Sequence, residues 1–115
     1  MNLIEEIKET LSLEIRPNSQ GSEYLEAVVD RMELESLQTI LIKHLGPAAK
    51  KPGENAKFPE EIQKVVDELG GLRTEQSFFY RKDATKVVYA ALWPWQSDPH
   101  KITLKLGIGK IGGQS

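Results

Sequence analysis

The chain contains no cysteine among its 115 residues. This absence excludes disulfide bonds, thiolate zinc sites, iron–sulfur clusters and cysteine nucleophiles. Because disulfides are rare in the cytoplasm, a chain without cysteine fits that compartment.

Long hydrophobic runs are missing as well. The longest apolar stretch, residues 87–93, is far shorter than the roughly 20 residues that a membrane helix needs. The N-terminus, MNLIEEIKET, is acidic and lacks the basic-then-apolar profile of a signal peptide. We therefore expect a cytoplasmic protein with no membrane partner.

Charge of one sign is scarce, since the net charge is −2 and the isoelectric point is near 5.7. A nucleic-acid-binding protein usually carries a basic footprint, so a nucleic-acid partner is not expected. The composition, 39% hydrophobic and 28% charged, is that of a globular protein. The length fits one domain spanning residues 1–115.

Histidines and catalytic signatures are few. Of the two histidines, His44 and His100, only His100 has a nearby acidic residue, Asp98. A metal site needs several converging ligands, so we expect no metal and no cofactor. The chain has no Walker loop, HExxH or GxSxG motif, and we assign no catalytic residue. The sequence favours a non-enzymatic protein without excluding a small enzyme.

The N-terminal half combines helical and strand patterns. Helical spacing of apolar residues predicts helices over 2–11 and 33–45. Alternation predicts a β-hairpin with strands 11–16 and 23–30, joined by turn formers at 17–22. The alternative is one helix from residue 23 to residue 45, because Leu25, Val28, Val29 and Met32 also fit a helical stripe.

The middle of the chain contains a loop and a helix. Residues 46–57 hold two prolines, two glycines and three lysines, which predicts a loop, most simply a solvated linker. The next segment starts with Pro59 and two glutamates and ends at Gly70-Gly71. Its apolar residues repeat at helical spacing, which predicts a helix over 59–69.

The C-terminal third predicts a three-stranded meander, with strands 77–81, 86–93 and 102–108. Both faces of 86–93 are apolar, which is typical of a central strand. The strand 102–108 has one polar face studded with lysine, which is typical of a sheet edge. The sequence thus predicts an α+β fold whose antiparallel sheet contains this meander and the N-terminal hairpin. We expect two or three helices on one face of that sheet.

The turn from Trp93 to His100, WPWQSDPH, is the candidate binding site. Two tryptophans flank Pro94 at the end of a strand, and exposed tryptophan is enriched at binding hot spots. Candidate binding residues are Trp93, Trp95, Asp98, His100 and the nearby cation Arg81. The alternative is that both indole rings only cap the end of the core.

These features favour a non-enzymatic protein-interaction module. Its partner is expected to be another protein or a second copy of the chain, which meets the exposed sheet face or the 102–108 edge. The alternative is a small-molecule-binding protein or small enzyme with a pocket between the 46–57 loop and the 93–100 turn.

Overall fold

The computed structural model describes residues 3–16, 24–54, 57–83 and 85–110. The predicted turn at 17–22 lies outside these ranges. The helices are α1 (Leu3–Thr10), α2 (Leu34–Leu45) and α3 (Glu60–Glu68), and a short 3₁₀-helix, Arg31–Glu33, precedes α2. The strands are β1 (Leu13–Ile15), β2 (Tyr24–Asp30), β3 (Ser77–Asp83), β4 (Lys86–Pro94) and β5 (Lys101–Lys110).

The predicted N-terminal hairpin is confirmed. β1 pairs antiparallel with β2, with Leu13 opposite Val29 and Ile15 opposite Ala27. The alternative of one helix from residue 23 is wrong, because 24–30 is a strand. Among the buried residues of this strand, Ala27 is small, and Val28 and Val29 are β-branched. Branched side chains favour extended backbone.

All five strands form one antiparallel sheet in the order β1-β2-β5-β4-β3. The C-terminal meander and the central position of β4 are as predicted. The prediction that 102–108 is an edge is wrong, since β2 pairs along its outer side from Tyr24↔Gly107 to Asp30↔Lys101. Lys101 and Lys105 therefore project from an inner strand and do not protect an edge.

Helices α1 and α2 cover one face of the sheet, as predicted. They bury their apolar stripes against side chains from β2, β3, β4 and β5, and this larger core contains Ile7, Leu37, Leu41, Val29, Phe79, Leu92 and Leu104. No helix in the described ranges combines the length and apolar character needed to cross a bilayer.

Helix α3 packs on the opposite face, over β3 and β4. Its buried residues Ile62, Val65 and Val66 form a second core with Phe78 and Val87. Strand alternation explains the split, because Phe78 points to one face and Phe79 to the other. The sheet is therefore covered by α1 and α2 on one face, where Ile15 and Ile108 remain partly exposed, and by α3 at only one side of the other.

The 46–57 segment is not simply a solvated linker. Lys50 is only 3% exposed and pairs with Phe78 through an isolated antiparallel bridge on the outer edge of β3. Its ammonium group donates to the carbonyl oxygens of Thr74 (3.0 Å) and Gln76 (2.6 Å). Burial lowers the pKa of Lys50 below its ordinary value. The segment thus covers an edge that would otherwise expose unpaired backbone groups.

A partly buried ion cluster joins α1 to α2. One Glu6 carboxylate oxygen lies 2.7 Å from His44 Nε2, and the other accepts from Lys43 Nζ at 3.2 Å. The hydrogen bond to His44, followed by that from Lys43, lowers the pKa of Glu6 below its ordinary value of 4.5.

We expect Glu6→Gln to destabilise the protein at pH 7 and to have a smaller effect at pH 3. A carboxylate whose pKa is lower in the folded state stabilises the fold above its unfolded pKa. That contribution is lost as the pH falls through the folded value. Urea unfolding of the wild type and the variant at both pH values measures it. The control is Glu9→Gln, an exposed glutamate on the same helix, and an equal loss in both variants would contradict the prediction.

Candidate binding site

The half of the sheet face beside α3 presents a polar and aromatic surface. The register places Glu26 opposite Lys105 and Val28 opposite Thr103, and Thr103 lies opposite Trp93 on its other side. These residues share one face, since residues paired across strands point the same way. Helix α3 packs over β3 and β4. No described helix covers the rest of this face, which consists of β1, β2 and the first half of β5 and is called the open half-face below.

The turn after β4 is fixed by backbone hydrogen bonds. Trp95 N donates to Lys101 O at 3.0 Å, and Lys101 N donates to Asp98 O at 3.1 Å. The Asp98 carboxylate accepts from His100 N at 3.0 Å, a local turn that aspartate commonly makes. These bonds hold Trp95 in a set position beside the start of β5.

Three cations contact the two indole rings. Lys105 Nζ lies 3.6 Å from the centroid of the Trp93 ring. Lys101 Nζ and the Arg16 guanidinium carbon lie 5.3 Å and 5.9 Å from the centroid of the Trp95 ring. At these distances the negative faces of the rings attract the cations. The open half-face therefore carries positive charge directly beside exposed aromatic surface.

The two indole nitrogens differ in their partners. Trp95 Nε1 donates to Thr103 Oγ1 at 2.7 Å, which fixes that ring. Trp93 Nε1 is buried and finds no acceptor among the residues that the structure describes. A buried donor that lacks a partner costs about 1–3 kcal/mol.

A depression of about 540 Å³ lies between the end of α3 and the Trp93–Ser97 turn. Its lining consists of Gly70, Gly71, Arg73, Glu75, Gln76, Trp93, Pro94, Trp95, Gln96, Ser97 and Thr103. Gly70 and Gly71 both have positive φ, 99° and 86°, which ends the helix tightly. A concave surface of this size, with two indole rings, matches the volumes of known ligand sites, roughly 300–1,000 Å³.

The acidic groups of the open half-face are each engaged within the protein. Glu14 pairs with Arg16 at 3.5 Å, and Glu26 accepts from the Tyr24 hydroxyl at 2.8 Å. Burial, followed by the contact with Glu26, raises the pKa of Tyr24 far above its ordinary value. The Asp30 carboxylate accepts from Met32 N at 2.9 Å. Across the strands Glu26 lies opposite Lys105 and Asp30 opposite Lys101, so acids and cations are neighbours on this face.

The structure brings Trp93 and Trp95 together at the depression and places the other three candidate residues differently. Asp98 shapes the turn. His100 is exposed, and its carbonyl accepts from Arg31 N at 2.8 Å. Arg81 lies on the opposite face, where Nη1 donates to His44 O at the end of α2 at 3.0 Å. Its role there is to satisfy a helix C-terminus.

Sequence reasoning missed the residues that complete the site. Lys101, Thr103 and Lys105 share a face by alternation, so the pattern could have placed them together. Arg16 reaches Trp95 only because β1 and β2 bring it across the sheet, a long-range contact that no local pattern signals. The depression is bounded by residues 70–76, and no described residue of the 46–57 loop lines it.

Within the part of the chain that the structure describes, no group of three or more His, Asp or Glu side chains could hold a metal ion. No protein-family model, no curated protein and no solved structure matches this chain.

Proposed function

We propose that this protein is a non-enzymatic protein-interaction module. Its contact surface is the open half-face together with the depression beside Trp93 and Trp95. The observation that carries the proposal is the pair of partly exposed indole rings beside a half-face that no described helix covers. A partner would bury those rings, which bring large, rigid contact area at low entropic cost.

The chemistry of the site supports binding. Acidic groups on the open half-face accept hydrogen bonds or pair with neighbours, and the hydroxyl of Thr103 accepts from Trp95. The inner position of β5 also directs a partner to the face, since that strand has both edges paired.

A second copy of the chain is one candidate partner. The sheet edge most open to it is β1, only three residues long, where Ile15 is 49% exposed. Short edge strands resist pairing with another chain, so this route has less support than the half-face. Sedimentation velocity separates the two, because a self-pairing chain forms dimers as concentration rises, whereas a peptide-binding chain stays monomeric.

A small molecule in the depression is the second candidate function, favoured by the volume of about 540 Å³. Its ligand would touch the Trp93–Ser97 turn and residues 70–76. A small molecule that binds only in the depression would be unaffected by substitutions on β1, none of whose described residues lines it, and this distinguishes the two functions.

We expect Trp95→Ala to weaken the binding of protein partners strongly. Peptides selected from a random display library on the wild-type protein should bind this variant at least about 30-fold more weakly, the effect of losing one hot-spot tryptophan. The matched control is Ile42→Ala, which removes an exposed apolar side chain on the opposite side of the sheet. Failure to select any peptide, or equal binding to wild type and Trp95→Ala, would contradict the proposal.

A further inference from the structure

We infer that Lys50 is a positioning residue for the depression beside Trp93 and Trp95. Its ammonium group holds residues 73–76, which form one side of that depression, and a partner binds more weakly when this group is lost. Residues 73–76 are called the wall segment below. The inference rests on the proposed function and gives a role in binding to a residue that does not itself line the site.

The wall segment contributes Arg73, Glu75 and Gln76 to the lining of the depression. Two hydrogen bonds close it into a turn. Gln76 N donates to Arg73 O at 3.0 Å, and Arg73 N donates to the side-chain oxygen of Gln76 at 2.7 Å. Because both bonds lie within the turn, they fix its shape and leave its position to contacts with other segments.

Lys50 makes the contacts that attach the wall segment. Its buried ammonium group donates to Gln76 O at 2.6 Å and to Thr74 O at 3.0 Å, and a longer bond reaches Lys51 O at 3.4 Å. Gly53 N also donates to Thr74 O, at 2.7 Å. Hydrogen bonds from a charged donor are roughly twice as strong as neutral ones. The ammonium group therefore supplies the larger part of this attachment.

The sequence explains why a side chain makes this contact. Lys50 and Phe78 exchange backbone hydrogen bonds as antiparallel partners, and the next such pair would join residue 52 to Gln76. Residue 52 is proline, which has no N–H to donate. The ammonium group therefore supplies the donor that the Gln76 carbonyl would otherwise lack. Since Gln76 is only 8% exposed, water is a poor substitute.

Loss of the ammonium group should free the wall segment without unfolding the protein. The backbone bridge between Lys50 and Phe78 does not use the lysine side chain, so it remains. If the wall segment keeps its position in about a tenth of the molecules, the apparent affinity for a partner falls about tenfold. If Lys50 served stability alone, its loss would leave binding by folded molecules unchanged.

The first test compares Lys50→Met, which keeps most of the apolar stem, with Lys51→Met, its exposed neighbour. The probe is a fluorescein-labelled peptide selected from the display library on the wild-type protein, whose binding Trp95→Ala weakens. Fluorescence anisotropy measures affinity under conditions where circular dichroism shows each variant folded. We expect Lys50→Met to bind about tenfold more weakly, or about 1.4 kcal/mol, and Lys51→Met to bind like the wild type. Glu6→Gln, which lowers stability far from the depression, should also bind like the wild type.

The second test restores the ammonium group chemically. Lys50→Ala lacks the part of the side chain that has the size and charge of propylammonium. We expect added propylammonium to recover part of the lost affinity, because it donates hydrogen bonds to the carbonyl oxygens of Thr74 and Gln76. Tetramethylammonium, which carries the same charge and no N–H, should recover none at the same concentration. Amide hydrogen exchange of residues 73–76 should be faster in Lys50→Ala and should slow again with propylammonium.

Wild-type affinity in Lys50→Met would overturn the inference, and the proposed function would stand because the peptide would still need Trp95. Absence of rescue in folded Lys50→Ala, or equal rescue by tetramethylammonium, would overturn it too. An equal loss of affinity in Glu6→Gln would show that stability alone controls binding, which also contradicts the role of Lys50. A library that yields no peptide dependent on Trp95 would overturn the proposed function and this inference with it.

Discussion

Replacing Phe78 by alanine should destabilise the protein by about 3–5 kcal/mol, the usual cost of emptying a buried phenylalanine site. The Phe78 side chain is fully buried under α3, with ring centroids of Phe58, Tyr80 and Tyr89 at 5.5, 5.9 and 6.3 Å. Its backbone also pairs with Lys50. Since natural domains are stable by only about 5–15 kcal/mol, the variant should be close to unfolding. Urea denaturation followed by circular dichroism measures the loss.

Met32→Ala is the control for Phe78→Ala. The Met32 side chain is 90% exposed on the 3₁₀-helix, so its removal should change stability by no more than about 0.5 kcal/mol. A cost below about 1 kcal/mol for Phe78→Ala would contradict the assignment of a second core under α3. That result would also remove the packing that holds α3, whose C-terminal end borders the depression, in place.

Gly107→Ala should cost about 1–3 kcal/mol, a large effect for one added methyl group. A Cβ atom there would lie 2.6 Å from Tyr89 Oη and 3.1 Å from Tyr24 Cδ1. Both distances are short, and β5 cannot move aside because β2 and β4 pair with it on either side. The ring of Tyr89 must shift instead. Thermal or urea unfolding measures the cost.

Two further variants test the cause of that cost. Gly109→Ala adds the same methyl group where the nearest atoms, in Val87 and Val65, lie at 3.5 and 3.7 Å. These are ordinary contacts, and alanine lowers the entropy of the unfolded chain, so stability should be unchanged or higher. Tyr89→Phe removes the closest atom and should recover part of the loss in Gly107→Ala. A loss at Gly109 as large as at Gly107 would contradict the steric explanation.

Elements with strong local patterns could be predicted from sequence. α3 was found because proline, glutamates and a glycine pair mark its ends, and β4 because both of its faces are apolar. The β-propensity of Tyr24, Val28 and Val29 favours the hairpin of β1 and β2 over a helix, and in the structure these three residues lie in strand β2. These signals are local, so they need no knowledge of neighbours in the sheet.

The pairing of β2 with β5 could not be predicted. Alternation shows which face Lys101 and Lys105 occupy, but an inner strand with one solvated face has the same pattern as an edge strand. The insertion of β5 between β2 and β4 depends on contacts between distant parts of the chain. The buried position of Lys50 is equally non-local, because its carbonyl partners at 74 and 76 come from beyond α3.

The candidate site was predicted in part. Trp93 and Trp95 were identified by the residue type and the proline between them, and the structure places both at the depression. Tyr80 lies on the face of the sheet that carries the tryptophans, and Arg81 is the next residue of β3. Because neighbouring residues of a strand point to opposite faces, alternation alone could have placed Arg81 on the other face. Arg16 could not have been found, since its approach to Trp95 requires the complete strand order.

The nitrogen–proton NMR signals of the two indole groups test the central claim most directly. The chain has two tryptophans, both at the proposed surface, so the spectrum contains one indole signal for each. We predict that adding a peptide selected from the display library on the wild-type protein shifts both signals. Binding that leaves both indole signals unmoved while backbone signals elsewhere shift would contradict the assignment of this surface.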